Sequence, residues 1–104
     1  MKAAPEKLES AIKDLFKDAP QRDPYKRFTI LAYQLADVGK SMRYRLIYAD
    51  KKEAYTGYLK TGLSDLLVQT IIFARLFDFD IDELIDLGLS RLAEYKLKGD
   101  YQEK

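Results

Sequence analysis

The sequence predicts an all-α fold of four antiparallel helices in a single domain, and three observations support it. Apolar residues recur at steps of three and four in four separate segments, which is the spacing of one helix face. Prolines, polar turns and D-x-x-E patterns typical of helix starts separate these segments. No segment alternates apolar and polar residues as a half-buried strand does. The 104 residues have the length of one domain.

The first two helices are predicted from prolines and apolar spacing. Residues 1–22 are expected to form an outer helix, over about 5–18, and a turn, because the apolar stripe there is narrow. The second helix is predicted over about 24–48, with Asp23 as its N-cap and a proline at its first position. Gly39, in the middle of this helix, suggests close approach of a neighbouring helix or a ligand. The apolar stripe expected to face the other helices consists of Phe28, Leu31, Leu35, Val38, Met42 and Leu46.

The third helix is predicted over about 51–77, with Asp50 and Glu53 as a capping box. Its segment 59–77 is the longest apolar-periodic run of the chain. A helix that is apolar over most of its circumference has to be packed on more than one side. The small neighbouring helices cannot cover it, so we expect a homodimer or a higher homo-oligomer that associates through its central helices.

The fourth helix is predicted over about 81–96 and is followed by a polar tail at 97–104. Asp80 and Glu83 form its capping box. Asp78, Asp80 and Asp82 also imitate the start of an EF-hand calcium loop, although that loop requires a glycine where Glu83 stands. Helix capping is therefore the preferred interpretation of these acids. The residues expected to face inward are Ile81, Leu84, Ile85, Gly88, Leu92 and Tyr95.

Composition excludes several classes of function. The chain has 18 basic and 17 acidic residues, for a net charge of +1, so no nucleic-acid or membrane partner is expected. It has no cysteine and no histidine, which excludes thiolate and histidine chemistry and leaves only oxygen ligands for a metal. No apolar segment at the N-terminus resembles a signal peptide, and the uncharged run 66–74 is too short to span a bilayer. We therefore expect a cytoplasmic protein.

Two helices carry a carboxylate beside their apolar stripes. Asp37 lies on the second helix with Gln34 one turn earlier, and Asp65 lies on the third with Gln69 one turn later. Carboxylates from separate helices of a bundle are a common way to hold a divalent cation, which can then bind nucleotide phosphates. This pattern predicts a Mg²⁺ or Mn²⁺ site at Asp37, Asp65 and Gln34, and substrate contacts from Lys40, Arg43 and Gln69.

The same residues have a simpler interpretation, which spacing alone favours. Both aspartates are then solvated, or paired with a basic side chain such as Lys40, Arg43 or Arg75. Lys40 and Arg43 are in turn a solvated basic helix end. If the aspartates share a half-buried cleft, either a metal ion or Lys40 is expected to relieve their mutual repulsion.

Two blocks of the sequence resemble a known family. LAYQLADVGKSMRYR (31–45) and TGLSDLLVQTIIFARLFDFDIDELIDLGLSRLAEYK (61–96) look like the MazG-like all-α nucleoside triphosphate pyrophosphohydrolases. That family typically has E-x-x-E on one helix and E-x-x-D on the next, then an apolar helix, a turn resembling LGID-x-EE and a final helix. SDLLVQTIIFA (64–74) is similar to the apolar helix, and LFDFDIDEL (76–84) is similar to the turn.

The resemblance implies a Mg²⁺-dependent reaction that converts a nucleoside triphosphate to the monophosphate and pyrophosphate. It places Gln34 and Asp37 at the E-x-x-E positions, and Gly62 and Asp65 at the E-x-x-D positions. Two of the four family carboxylates are therefore missing. This implies a weak or specialised activity, or, as the alternative, a non-catalytic interaction or nucleotide-sensing module.

Overall fold

The computed structural model describes residues 5–98 of the chain. Within that range it contains four α-helices and no strand, so the predicted all-α fold with four helices is confirmed. Every predicted helix end lies within one turn of the observed end. The predicted polar tail starts too early, because the last helix continues to Lys98, and residues 99–104 lie outside the described range. The helices are α1 (Glu6–Leu15), α2 (Pro24–Ile47), α3 (Lys52–Leu76) and α4 (Ile81–Lys98), with 3₁₀ turns at Ala19–Arg22 and Ala49–Lys51.

Two of the three predicted helix starts are capped as expected. The Asp23 carboxylate accepts hydrogen bonds from the backbone N–H of Tyr25 at 3.4 Å and of Lys26 at 3.3 Å. The Asp80 carboxylate accepts one from the backbone N–H of Glu83 at 3.0 Å. The capping box at Asp50 is wrong, because Asp50 lies inside the 3₁₀ turn and α3 begins only after it.

The acidic segment between α3 and α4 ends one helix and starts the next. Asp78 has a φ of 57°, and its N–H donates to the Arg75 carbonyl at 3.1 Å. The N–H of Phe79 donates to the Ala74 carbonyl at 3.1 Å. This is a Schellman termination of α3 with Asp78 in the left-handed position. Helix termination and capping thus account for Asp78 and Asp80 without a calcium loop.

Helices α2 and α3 pack against each other as an antiparallel pair. Arg27 near the start of α2 donates to Gln69 near the end of α3, and Arg45 Nε donates to Thr56 Oγ1 at 2.8 Å at the opposite end. The helices approach closely at Gly62, where an added Cβ would lie 3.3 Å from Val38 Cγ2. The close approach of a neighbouring helix at Gly39 is wrong, because nothing lies within 4 Å of a Cβ built there, while the approach of a ligand at Gly39 stays a prediction.

The face that α2 turns toward α3 is shifted by about one residue from the centre of the predicted stripe and combines polar with apolar side chains. Its buried and half-buried polar residues include Arg27, Gln34, Ser41 and Arg45, which follow one another at one or two helical turns. Leu31 and Val38 of the predicted stripe are half-buried on this same face, whereas the other four residues of the stripe lie beside it and remain exposed within one chain, which corrects the prediction in part. Phe28, Leu35, Met42 and Leu46, here called the α2 stripe, are between 48% and 83% exposed.

Helix α3 is also less covered than its sequence predicts. Only Gly62, Ile72 and Ala74 are buried on α3, while Leu63 and Leu67 are exposed. On α4, Ile81 is buried and Ile85 and Tyr95 are half-buried, whereas Leu84, Gly88 and Leu92 are exposed, so the predicted inward face of α4 is only partly covered. The expectation that α3 is packed on more than one side therefore does not hold within a single chain.

The single chain is open in shape. Its Cα radius of gyration is 16.6 Å, whereas a compact chain of this length has about 13 Å. Its accessible surface is 8357 Å², against roughly 6,000 Å² for a folded monomer of this mass. Much apolar surface is therefore left uncovered. None of the helices in residues 5–98 is long and apolar enough to cross a membrane.

Candidate functional site

A groove of about 340 Å³ runs between α2 and α3. Asp37 and Asp65 both line it, one on each helix, so the structure brings together the two carboxylates that the spacing singled out. The antiparallel packing does this, because Asp37 directly precedes Val38 on α2 and Asp65 lies one turn after Gly62 on α3, next to the close contact between Val38 and Gly62. The groove is lined by Asp37, Lys40, Ser41, Tyr44, Tyr55, Tyr58, Thr61, Gly62 and Asp65.

The carboxylates of this groove face water. Asp37 and Asp65 are both exposed, which corrects the expectation of a half-buried cleft. Water screens their mutual repulsion, so neither requires a buried cation for the chain to fold. Both oxygen donors remain accessible to a ligand that enters the groove.

Lys40 lines the same groove but is not the ion-pair partner of either aspartate. Its Nζ lies 5.6 Å from the centroid of the Tyr44 ring, in a cation–π arrangement. Among the described side chains, no ion pair joins Lys40 or Arg43 to Asp37 or Asp65. Arg75, another predicted partner, instead pairs with Glu9 of α1 at 2.9 Å. The interpretation of the aspartates as paired with one of these basic side chains is therefore wrong.

The remaining predicted site residues are distributed differently. Arg43 lines a second groove on the C-terminal half of α2, and Lys40 and Tyr44 lie on both grooves. Gln69 lies outside the first groove and accepts a hydrogen bond from Arg27. Gln34 is half-buried on the face of α2 that meets α3 and does not line the groove. The structure thus places Asp37, Asp65 and Lys40 together, with Arg43 adjacent and both glutamines elsewhere.

Gly62 occupies a position where the family resemblance expects a glutamate. The position is buried and lies at the close contact between α2 and α3. Any side chain here begins with a Cβ 3.3 Å from Val38 Cγ2, so Val38 has to shift to admit it. The close packing of α2 and α3 at Gly62 therefore depends on the absence of a side chain, and with it of a carboxylate, at this position.

Four tyrosines, three of which line the groove, cluster at one of its ends, and their spacing along the chain does not identify them as a group. Tyr44 lies 5.6 Å from Tyr48 and 5.4 Å from Tyr55, measured between ring centroids. Tyr55 lies 6.0 Å from Tyr48 and 5.7 Å from Tyr58. The signal in the sequence is an i,i+4 pair at the end of α2 and an i,i+3 pair at the start of α3. An antiparallel hairpin brings these two ends together.

Arg27, on the face of α2 toward α3, was also not predicted from the sequence. It is only 3% exposed. Its Nη1 donates to Gln21 Oε1 at 2.9 Å, and its Nη2 donates to Gln69 Oε1. Its Nε is buried without a hydrogen-bond partner. Burial lowers the pKa of the Arg27 guanidinium, because it disfavours the charged form.

Arg27 has a structural role. It ties the 3₁₀ turn at Ala19–Arg22 to α3 through two neutral amide side chains. It does not line the groove of Asp37 and Asp65. The sequence signal was a polar series two turns apart, from Arg27 to Gln34 and Ser41, directly beside the apolar stripe.

The groove suits one mode of metal binding and not another. In residues 5–98, no three acidic side chains converge to form a ready-made metal site. Mg²⁺, however, keeps several water ligands and is commonly held by one or two carboxylates together with substrate phosphates. Asp37 and Asp65 fit that second mode, in which the ion arrives with a phosphate ligand.

Comparisons of the chain with protein-family models, with curated proteins and with solved structures found no match. The features available for assigning a function are therefore those of the groove. It combines two accessible carboxylates from different helices with one lysine and an aromatic end.

Proposed function

We propose that this chain is a MazG-like helical module that binds a nucleoside triphosphate with Mg²⁺ or Mn²⁺ in the groove between α2 and α3. One observation carries the proposal: Asp37 and Asp65, from two different helices, line one open groove together with Lys40. The resemblance of 31–45 and 61–96 to the MazG-like family supports it. In that resemblance the same two aspartates occupy carboxylate positions of the family motifs.

The roles of the groove residues follow from their charges. Asp37 and Asp65 offer oxygen ligands to the ion, and water and phosphate oxygens complete its coordination. The bound ion neutralises part of the phosphate charge. Lys40 provides a further positive charge on the same groove, and Arg43 provides one on the adjacent groove. Gln34 has no place in this arrangement, because it does not line the groove.

Binding is favoured over rapid hydrolysis. Family members with all four carboxylates hold Mg²⁺ and split the triphosphate, whereas Gln34 and Gly62 replace two of those carboxylates in this chain. Gln34 has one neutral side-chain oxygen and Gly62 has no side chain. The proposed function is therefore a nucleotide-binding, sensing module. The second candidate is a slow Mg²⁺-dependent pyrophosphohydrolase, which the shared groove of Asp37 and Asp65 favours.

We also propose that the module is a homodimer. The α2 stripe is exposed in one chain, and Leu63 of α3 is exposed as well. At about 100° per residue, Leu35 and Asp37 project roughly 160° apart around α2. Two copies that pack through the α2 stripe and Leu63 would form a four-helix core and leave each groove open to solvent.

Thermal unfolding tests the nucleotide site. Mn²⁺ with excess ATP should raise the melting temperature of the wild type by several degrees, since a ligand at 100 times its Kd adds about 2.7 kcal/mol to the native state. Asp65→Asn should remain folded and lose most of that increment. Asp86→Asn, an exposed aspartate on α4, should keep it. Equal melting temperatures with and without the ligand in the wild type would remove the proposed site.

Release of pyrophosphate separates the two candidate functions. We expect ATP, GTP, CTP and UTP to give little or no pyrophosphate with Mg²⁺ or Mn²⁺ under conditions where ATP binds. Steady release that disappears in both Asp37→Asn and Asp65→Asn would establish the pyrophosphohydrolase instead. The comparison requires the binding measurement on the same protein preparation.

A further inference from the structure

We infer that Tyr58, supported by the neighbouring cluster of Tyr44, Tyr48 and Tyr55, forms a platform on which the base of a bound nucleotide stacks. This inference rests on the proposed function and extends it from the phosphates to the nucleoside. Its basis is that Tyr58 lines the same groove as Asp37 and Asp65. A ligand held by the carboxylates therefore lies in the same groove as the aromatic rings.

The two ends of the groove are separated by a suitable distance. Tyr58 precedes Asp65 by seven residues on α3, and Tyr44 follows Asp37 by seven residues on α2. Each separation is about 10 Å along the helix axis, at a rise of about 1.5 Å per residue. This is comparable to the span of an extended nucleoside triphosphate from its base to its outer phosphates. Lys40, Ser41, Thr61 and Gly62 line the groove between the ends.

At the tyrosine end of the groove, the ring of Tyr58 is accessible to a ligand, and the neighbouring tyrosine rings pack against one another. Tyr58 is 61% exposed, so its ring is accessible to a ligand. Tyr55, half-buried, lies 5.7 Å away with its ring plane inclined by 58°. Tyr44, also half-buried, makes edge contacts with Tyr48 and Tyr55 at interplanar angles of 68° and 64°. Such packing restricts the tyrosine rotamers before a ligand arrives, which lowers the entropy cost of stacking.

A platform that binds the base by stacking implies a preference among nucleoside triphosphates. Every base has a π-face, so stacking on an aromatic side chain tolerates different bases and favours the larger purines. The Thr61 hydroxyl, one turn after Tyr58 on α3, already donates to the Gly57 carbonyl at 3.2 Å. We therefore expect purine triphosphates to bind more tightly than pyrimidine triphosphates, with little discrimination between ATP and GTP.

Calorimetric titration with two probes tests the platform. Mg-ATP has a base, whereas Mg-tripolyphosphate carries a phosphate chain alone. The wild type should bind Mg-ATP more tightly than Mg-tripolyphosphate. Tyr58→Leu should weaken Mg-ATP binding by about tenfold, the scale of one base–aromatic stack, and leave tripolyphosphate unchanged. Tyr58→Phe should retain wild-type affinity for both.

A matched control addresses the general effect of removing a tyrosine. Tyr33 is 68% exposed on α2 and does not line the groove, so Tyr33→Leu should bind both probes as the wild type does. Unchanged Mg-ATP affinity in Tyr58→Leu would overturn the platform. Equal wild-type affinity for the two probes would also overturn it while leaving the phosphate site in place. Failure of both probes to bind would overturn the proposed function and the platform together.

Discussion

Leu35→Lys is expected to convert the proposed dimer into a folded monomer. Sedimentation equilibrium should then give the mass of one chain, 12.1 kDa, where the wild type gives twice that mass. Leu35 lies in the middle of the α2 stripe and is 61% exposed in one chain. The substitution should therefore change the folding stability of the single chain little, but it should strongly weaken a dimer interface that covers the stripe.

The expected size of the effect follows from the two-fold symmetry. Burying a leucine contributes about 1.5–3 kcal/mol, and an isologous interface contains the residue twice. Loss of both leucines and burial of two ammonium groups should therefore raise the dimer dissociation constant at least about a hundredfold.

Ala36→Lys is the matched control for the interface. Ala36 is exposed and lies about 100° from Leu35 around α2, away from the stripe. It adds the same charge to the same helix, so it should leave the dimer intact. A monomeric wild type at low micromolar concentration, or equal dissociation by both variants, would show that the stripe is not the interface.

Arg27→Ala is expected to give the largest loss of folding stability, about 3 kcal/mol in urea unfolding. Truncation removes a buried side chain and leaves Gln21 Oε1 and Gln69 Oε1 without their donor. A buried acceptor that loses its partner costs about 1–3 kcal/mol, and lost packing of the long side chain adds to this. The variant no longer buries a charged group, the same burial that lowers the pKa of Arg27. This offsets part of the lost folding free energy.

Two variants separate these contributions. Arg27→Met keeps an apolar chain in place and should lose less stability than Arg27→Ala. Arg43→Ala removes an exposed arginine from the same helix and should change stability by less than about 0.5 kcal/mol. If Arg27→Ala costs no more than Arg43→Ala, the guanidinium does not join the 3₁₀ turn to α3.

Local signals in the sequence were sufficient to predict the helices. Prolines, the caps at Asp23 and Asp80 and the three-four spacing gave four helices with nearly correct ends, because these signals act within a few residues. The cap at Asp50 was wrong, because an extra 3₁₀ turn intervenes before α3. Such a turn depends on how α2 and α3 meet, and that geometry is not local.

Which face of a helix is buried was harder to predict than where the helix lies. Apolar spacing selected a stripe in which Leu31 and Val38 are half-buried on the face toward α3, whereas Phe28, Leu35 and Met42 remain exposed. Gly62 explains part of this, since the absent side chain lets α3 approach Val38. Apolar periodicity does not distinguish a stripe that is buried within one chain from a stripe that remains exposed on it.

The candidate site was predictable only in part, because its residues come from two helices whose facing sides the spacing alone does not fix. Asp37 and Asp65 were found from their matching positions on two helices, and the antiparallel packing then placed them in one groove. Gln34 and Gln69 were misplaced because both are half-buried side chains that do not line the groove, and Gln69 accepts a hydrogen bond from Arg27 of α2. The tyrosine cluster joins the end of α2 to the start of α3, so it became visible only when the hairpin was assembled.

The central claim is that a metal–nucleotide complex binds between Asp37 and Asp65, and paramagnetic broadening by Mn²⁺ tests it most directly. Amide signals of the ¹⁵N-labelled protein would be recorded with ATP and a small fraction of Mn²⁺, and then with excess Mg²⁺ as a competitor. Because the broadening falls steeply with distance from the ion, it reports where the ion binds. A second acidic segment, 78–83, provides an internal comparison in the same molecule.

We predict that the amide signals of Lys40, Ser41, Thr61 and Gly62 broaden first and recover when Mg²⁺ displaces Mn²⁺. In Asp65→Asn this selective broadening should be absent. Broadening that begins at residues 78–83, or that is uniform along the chain, would contradict a metal–nucleotide site between α2 and α3.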